Sequence, residues 1–188
     1  MERLRGEIRT KNGKFLFNFQ GDLKFSIETY FKGIGKRDLS NADLSKLDLS
    51  EIDLSDCDLS NCDFFETNLE KTNLHLSNLS SSILHKCNLE KANLCNTNLD
   101  NSIMSYCNFS YTNMNYVSLE GADVFMCCFL NSNLKGSYLN KASFQNISIH
   151  KVTLDFVNIS WKDLLRFSFT NNLCFRYNLI KNKIKGKK

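Results

Sequence analysis

The sequence predicts an all-β solenoid built from five-residue repeats, and three observations predict it. Every fifth residue from Leu39 to Phe169 is apolar, 27 positions with no insertion to break the phase. The residue two before each of these is small or apolar, and never charged, from Ala42 to Val157. The residue between the two is mostly Asp or Asn, as in Asp43, Asp48, Asp53, Asn68, Asn73, Asn93 and Asn98.

No helix explains this spacing, because a 3.6-residue period would smear a strict five-residue repeat around the whole surface. A long regular strand fails as well, since its side chains alternate with a period of two. A short extended piece followed by a turn does fit. The small and the large residue then point the same way, and the Asp or Asn with the following Ser40, Ser45, Ser50, Ser55 or Ser60 supplies turn chemistry. Each quintet sends two side chains inward and three outward. The absence of proline agrees, because proline removes a ladder donor.

These residues carry a family resemblance. Ala42-Asp43-Leu44-Ser45, Cys57-Asp58-Leu59-Ser60 and Ala92-Asn93-Leu94-Cys95 resemble the pentapeptide-repeat proteins, and the pattern holds over about residues 37 to 170. The resemblance implies a right-handed quadrilateral parallel β-helix with four quintets per coil, so that residues 20 apart would stack. Its 27 quintets would make about seven coils, and at roughly 4.8 Å per layer a rod about 30 Å long. Such a rod gains stability from neighbour-on-neighbour stacking and needs its ends covered.

Residues 1–36 are out of phase and are expected to form a small β cap. Leu4 to Phe19 reads as a hairpin with Asn12-Gly13 at the turn. Leu23, Phe25 and Ile27 alternate as a further strand would; a rival reading makes Ser26 to Ile34 a short helix. Residues 171–188 are expected to form a C-terminal cap and basic tail. Phe167, Phe169, Phe175 and Tyr177 are placed to cover the last coil or to pair with a second copy, and family relatives often dimerise end to end there.

The 42% hydrophobic and 23% charged residues suit a globular chain rather than a disordered one. The longest apolar run, Val124 to Leu130, is too short to span a bilayer. No signal-type apolar stretch follows the charged Met1-Glu-Arg-Leu-Arg-Gly, so a cytoplasmic location without membrane contact is expected. Cys57, Cys62, Cys87, Cys107 and Cys127 share one phase of the repeat, which marks them as small buried hydrophobes and not a disulfide framework.

The net charge of +4 hides an asymmetry: −9 over residues 38–70 and +9 over residues 134–188. Asp43, Asp48, Asp53, Asp58 and Asp63 make an acidic belt over the first coils. They are either the repeat's turn residues or a docking surface for a basic protein partner. Tyr106, Tyr111, Tyr116 and Met126 occupy outward phases and form a candidate aromatic contact patch.

No catalytic constellation is legible, and no cofactor or metal is expected. His75 and Cys95 are 20 apart and would stack, but two ligands do not make a site. The chain therefore reads as a non-enzymatic protein-binding or inhibitory module. The resemblance adds a second reading. Some family members resemble duplex DNA in width and charge, bind DNA gyrase and related topoisomerases, and protect against quinolones. Their surfaces are acidic along the rod, whereas here only the first coils are. Direct nucleic-acid binding would fall to Lys181, Lys183, Lys185, Lys187 and Lys188, and a short tail gives only salt-sensitive, nonspecific affinity.

Overall fold

The structure is a computed structural model that describes residues 5–160, Lys162, Asp163 and Ile180. Its body is a parallel β-helix in which successive coils bridge at residues 20 positions apart. Asp43 pairs with Asp63, Asn73 with Asn93, Asn108 with Cys128, and the series continues to Tyr138 with Asn158. Four quintets therefore separate a residue from the one stacked on it. One column of large residues runs Leu39, Leu59, Leu79, Leu99, Leu119, Leu139 and Ile159, all buried.

The turn between quintets has a fixed conformation. A positive φ recurs at every fifth residue from Asn41 to Phe156, and only Gly121 and Gly136 among these positions are glycine. At most corners the N–H of the next small residue donates to the carbonyl of the large one, as in Thr97 N to Leu94 O at 3.1 Å. A positive φ at the third position with this i to i+3 bond is a type II turn. Left-handed backbone is strained for lysine or tyrosine and persists only where surrounding contacts over-determine it. Here the coil-to-coil ladder holds both sides of most turns.

The small inward residue does a second job. At most positions its hydroxyl or thiol donates to a core carbonyl, either on the coil below or just across the preceding turn; the buried Ser137 Oγ is an exception. Thr67, Thr72 and Thr97 bond Leu44, Leu49 and Leu74 across 23 residues at 2.6–2.7 Å. Ser77, Ser82 and Ser102 instead reach the carbonyl three residues back at 2.6 Å. Buried polar groups must be partnered, so Ser, Thr and Cys can alternate with Ala in this column.

The outward Asn residues form ladders of their own. Asn68 Nδ2 donates to Asp48 Oδ1 at 2.9 Å, Asn88 to Asn68 at 3.1 Å and Asn108 to Asn88 at 3.3 Å. A parallel ladder runs from Asp53 through Asn73 and Asn93 to Asn113. Aspartate accepts but cannot donate, so it suits the first rung.

The first end is closed by a cap. Strands β1 (Arg5–Thr10) and β2 (Phe15–Gln20) pair antiparallel as the expected hairpin. Its turn carries Gly13 in the left-handed region, φ 81. β1 also pairs antiparallel with β3 (Ala42–Asp43), so the hairpin covers the open edge of the first coil.

The expectation of a purely β cap is corrected beyond the hairpin. Leu23, Phe25 and Ile27 lie not on a strand but in a helix, α1 (Leu23–Ile34). Asp22 caps it by accepting from Phe25 N at 3.1 Å, and Gly35 ends it in the left-handed region. Ile27 and Phe31, four apart, turn one stripe inward, and Tyr30 stacks on Phe17 at 4.8 Å. Phe25, whose alternation suggested a strand, points out and is 67% exposed.

Candidate functional site

The acidic belt encircles the rod. Asp43, Asp48, Asp53 and Asp58 belong to four successive quintets, and only Asp63 stacks on an earlier member, Asp43. Each carboxylate is tied into a turn, accepting from the N–H two residues on. Ser45 N lies 3.0 Å from Asp43, Ser50 N 3.1 Å from Asp48, Ser55 N 3.1 Å from Asp53, Ser60 N 3.0 Å from Asp58, and Phe65 N 2.9 Å from Asp63. The Ser50 hydroxyl, acting against partial burial, holds the Asp48 carboxyl below its ordinary range. Partial burial raises Asp53, but Ser55 and the nearby Arg37 outweigh it and leave the group lowered. Asp53 Oδ2 lies 3.7 Å from the Arg37 guanidinium, and the carboxylates of the belt are spread around the rod and not gathered on one side.

A different region gathers its side chains on one side. Strands β4 (Ile83–His85), β5 (Ile103–Ser105), β6 (Asp123–Phe125) and β7 (Ser143–Gln145) stack in parallel register into one sheet. Leu84, Met104, Val124 and Phe144 point inward and are buried. Outward, Ile83 and Ile103 replace the usual Asp or Asn and are 38% and 52% exposed. Beside them runs a ladder of rings. Phe65 stacks on His85 at 5.5 Å, His85 meets Tyr106 edge-on at 5.5 Å, and Tyr106 meets Phe125 edge-on at 5.7 Å. Such offset and edge-on pairs are the favoured aromatic geometries. Ser105 Oγ holds the His85 ring at 2.6 Å, and Lys46 and Lys86 each lie over Phe65.

The predicted aromatic residues are distributed between regions. Tyr106 and Met126, 20 apart, share one corner of this sheet, and both are exposed. Tyr111 and Tyr116 take the next two corners of the same coil: Tyr111 lies under Lys91, and the Tyr116 ring packs over Gly136. Any Cβ at Gly136 would sit 2.4 Å from that ring. Phe65, His85, Ile83 and Ile103 were not singled out from the sequence. The signal was there, since 65, 85, 105 and 125 share one phase of a 20-residue step. Phe167, Phe169, Phe175 and Tyr177, the expected C-terminal cap or dimer contact, lie outside the described residues.

His75 does stack near Cys95, but its Nδ1 lies 2.8 Å from the Cys95 carbonyl oxygen, not the thiol. A carbonyl only accepts, so that nitrogen carries the proton and is no metal ligand. Among the described residues no group of three or more His, Cys, Asp or Glu could hold a metal ion. Nor is any helix among them long and apolar enough to cross a membrane. Burial pushes the Cys57 and Cys62 thiols up to about 12, as befits packing residues.

Comparison with known proteins fits this architecture. The family model described as pentapeptide repeats matches residues 38–75, 57–94 and 87–124, with 8 copies. The chain belongs to the pentapeptide-repeat proteins. No curated protein matches it. Among solved structures it is similar to Rfr23 from the cyanobacterium Cyanothece 51142, at 22% identity over 70% of this chain and 97% of that one, TM-score 0.29. It is also similar to QnrB1, a plasmid-mediated fluoroquinolone resistance protein, at 17% identity over 69% and 81%, TM-score 0.35. A pentapeptide repeat protein of the Arabidopsis thaliana thylakoid lumen matches at 21% identity over 80% and 93%, TM-score 0.27. At these values no function carries across from any of them.

Proposed function

We propose that this chain is a non-enzymatic protein-binding module that acts through its outer faces, with the β4–β7 sheet as principal contact surface. One observation carries the reading. Ile83, Ile103, Phe65, His85, Tyr106, Phe125 and Met126 fall together on one side of the rod, where the rest of the repeat places Asp, Asn and Ser. A contiguous exposed apolar patch with a polar rim is the mark of a protein contact. The Asp43–Asp63 belt serves as a secondary contact for basic groups.

Ile103→Asp tests the principal surface. The same outward column already accommodates Asp43, Asp63 and Asp123, so the fold tolerates the change. Affinity capture from the native cell with wild-type and variant protein should show at least one partner lost by the variant. Identical captured sets would refute this surface.

A second reading is a DNA mimic that engages DNA gyrase or another topoisomerase. It is favoured by the −9 charge over residues 38–70 and weakened by the near-neutral coils that follow. A supercoiling assay with and without a quinolone decides it, and an unaffected gyrase ends it. We further infer a cytoplasmic protein whose repeat winds a right-handed, four-sided helix; of the expected span 37–170 and its about seven coils, residue 161 and residues 164–170 lie outside the described residues. The 20-residue pairing of five-residue units supports four sides, and the right-handed preference of parallel crossovers supports the hand.

A further inference from the structure

We infer that the partner of the β4–β7 sheet presents an amphipathic α-helix whose apolar stripe is flanked at both ends by Lys or Arg; this rests on the protein-binding reading above. The outward column of the sheet reads Asp43, Asp63, Ile83, Ile103, Asp123 from the cap upward. Two aliphatic side chains are thus bracketed by carboxylates. Among the described residues no cation forms an ion pair with Asp63 or Asp123, whereas Glu66, on the neighbouring corner, is held by Lys86 at 3.1 Å. The ring ladder from Phe65 to Phe125 runs alongside and widens the apolar strip to two columns.

The backbone decides what kind of segment fits. The amides of this sheet are committed to neighbouring coils: Ile83 N to Cys62 O at 3.0 Å, Phe64 N to Ile83 O at 2.9 Å, Ile103 N to Ser82 O at 3.0 Å, and Asp123 N to Ser102 O at 2.9 Å. Between Asp63 and Asp123 no backbone edge is free for an added strand, so side chains alone make the contact there. That leaves the mode in which a helix lays its apolar stripe on a surface. Asp63 and Asp123 are three layers apart, roughly 14 Å at about 4.8 Å per layer. At about 1.5 Å rise per residue, a helix lying along the rod spans this in roughly ten residues. The partner therefore carries basic residues about three turns apart, with apolar residues on the same face between them. Paired charges of this kind fix register and steer encounter.

The experiment is selection of displayed single helices, randomised on one face, against the full chain, followed by fluorescence anisotropy of the enriched peptides. Enriched helices should carry Lys or Arg on both sides of an apolar stripe. Their affinity should fall at least tenfold against Ile103→Asp, and severalfold against Asp63→Asn with Asp123→Asn, in a salt-dependent way. Enriched helices that depend on Ile103 but lack cations would overturn the inference and leave the protein-binding surface standing. Helices indifferent to Ile103→Asp, or none enriched at all, would overturn the inference and count against the surface itself. Self-association of the wild-type chain in sedimentation, abolished by Ile103→Asp, would also overturn it by making a second copy the occupant.

Discussion

The first coil and the β4–β7 sheet use the same outward position of the quintet for opposite ends. In the first coil, Asp43, Asp48, Asp53 and Asp58 fill it; each side chain closes its own turn, and Asp48, Asp53 and Asp58 also accept from the Asn 20 residues on. In the sheet, Ile83 and Ile103 fill it, close no turn and face solvent. Charge that is conspicuous along the chain is therefore dispersed around the rod. An apolar surface that is inconspicuous along the chain is assembled from residues 20 apart. In a solenoid, the residues that break the repeat's own rule are the ones to examine for function.

Substitutions can break or sharpen that contrast. The largest effect belongs to the interior. Leu94 is fully buried, and Leu94→Asp places an unpaired carboxylate among stacked leucines. A loss above about 4 kcal/mol, abolishing cooperative unfolding, is expected in urea denaturation. The same aspartate at Ile103 should stay within about 0.5 kcal/mol of wild type, as other surface changes do, while removing partner binding. An intermediate loss is expected for Thr97→Val, which deletes the 2.6 Å bond to the Leu74 carbonyl. About 1 kcal/mol is the usual worth of such a bond, read from the urea midpoint at constant slope.

The smallest effect at neutral pH belongs to the belt. Asp48→Asn keeps the oxygen that accepts from Ser50 and Asn68, so stability at pH 7 should shift by no more than about 0.5 kcal/mol. The pH dependence is more telling. The folded-state pKa of Asp48 is lowered, so its charge stabilises the fold above the ordinary carboxylate pKa of about 4. That stabilisation is lost as pH falls through the lowered value. The variant should therefore lose less stability than wild type between neutral pH and about pH 3. Equal losses would show that Asp48 is not held by its turn.

The repeat was legible because its signal is redundant: the apolar phase from Leu39 to Phe169, the small column and the Asn column all demand the same short extended unit. The cap helix was less legible because Leu23, Phe25 and Ile27 satisfy alternation, while Ile27 and Phe31 satisfy helical spacing. Asp22 and Gly35 are the cap residues that tip the balance, and they lie twelve residues of helix apart. The ring ladder was partly hidden for a geometric reason. His85 and Tyr106 are 21 residues apart, not 20, since Tyr106 reaches from the corner to a ring on the adjoining sheet. Inspection by five-residue phase assigns the two to different columns.

The direct test of the 20-residue stacking is a distance along one column. Spin labels at Lys46→Cys and Asn146→Cys, in a chain with Cys95, Cys128 and Cys174 replaced by serine, should lie five layers apart. Pulsed electron–electron resonance should give a single narrow distribution near 24 Å, five times about 4.8 Å, broadened by a few ångströms of label. A broad distribution, or one centred beyond about 35 Å, would contradict the stacking and with it the assembly of the contact surface.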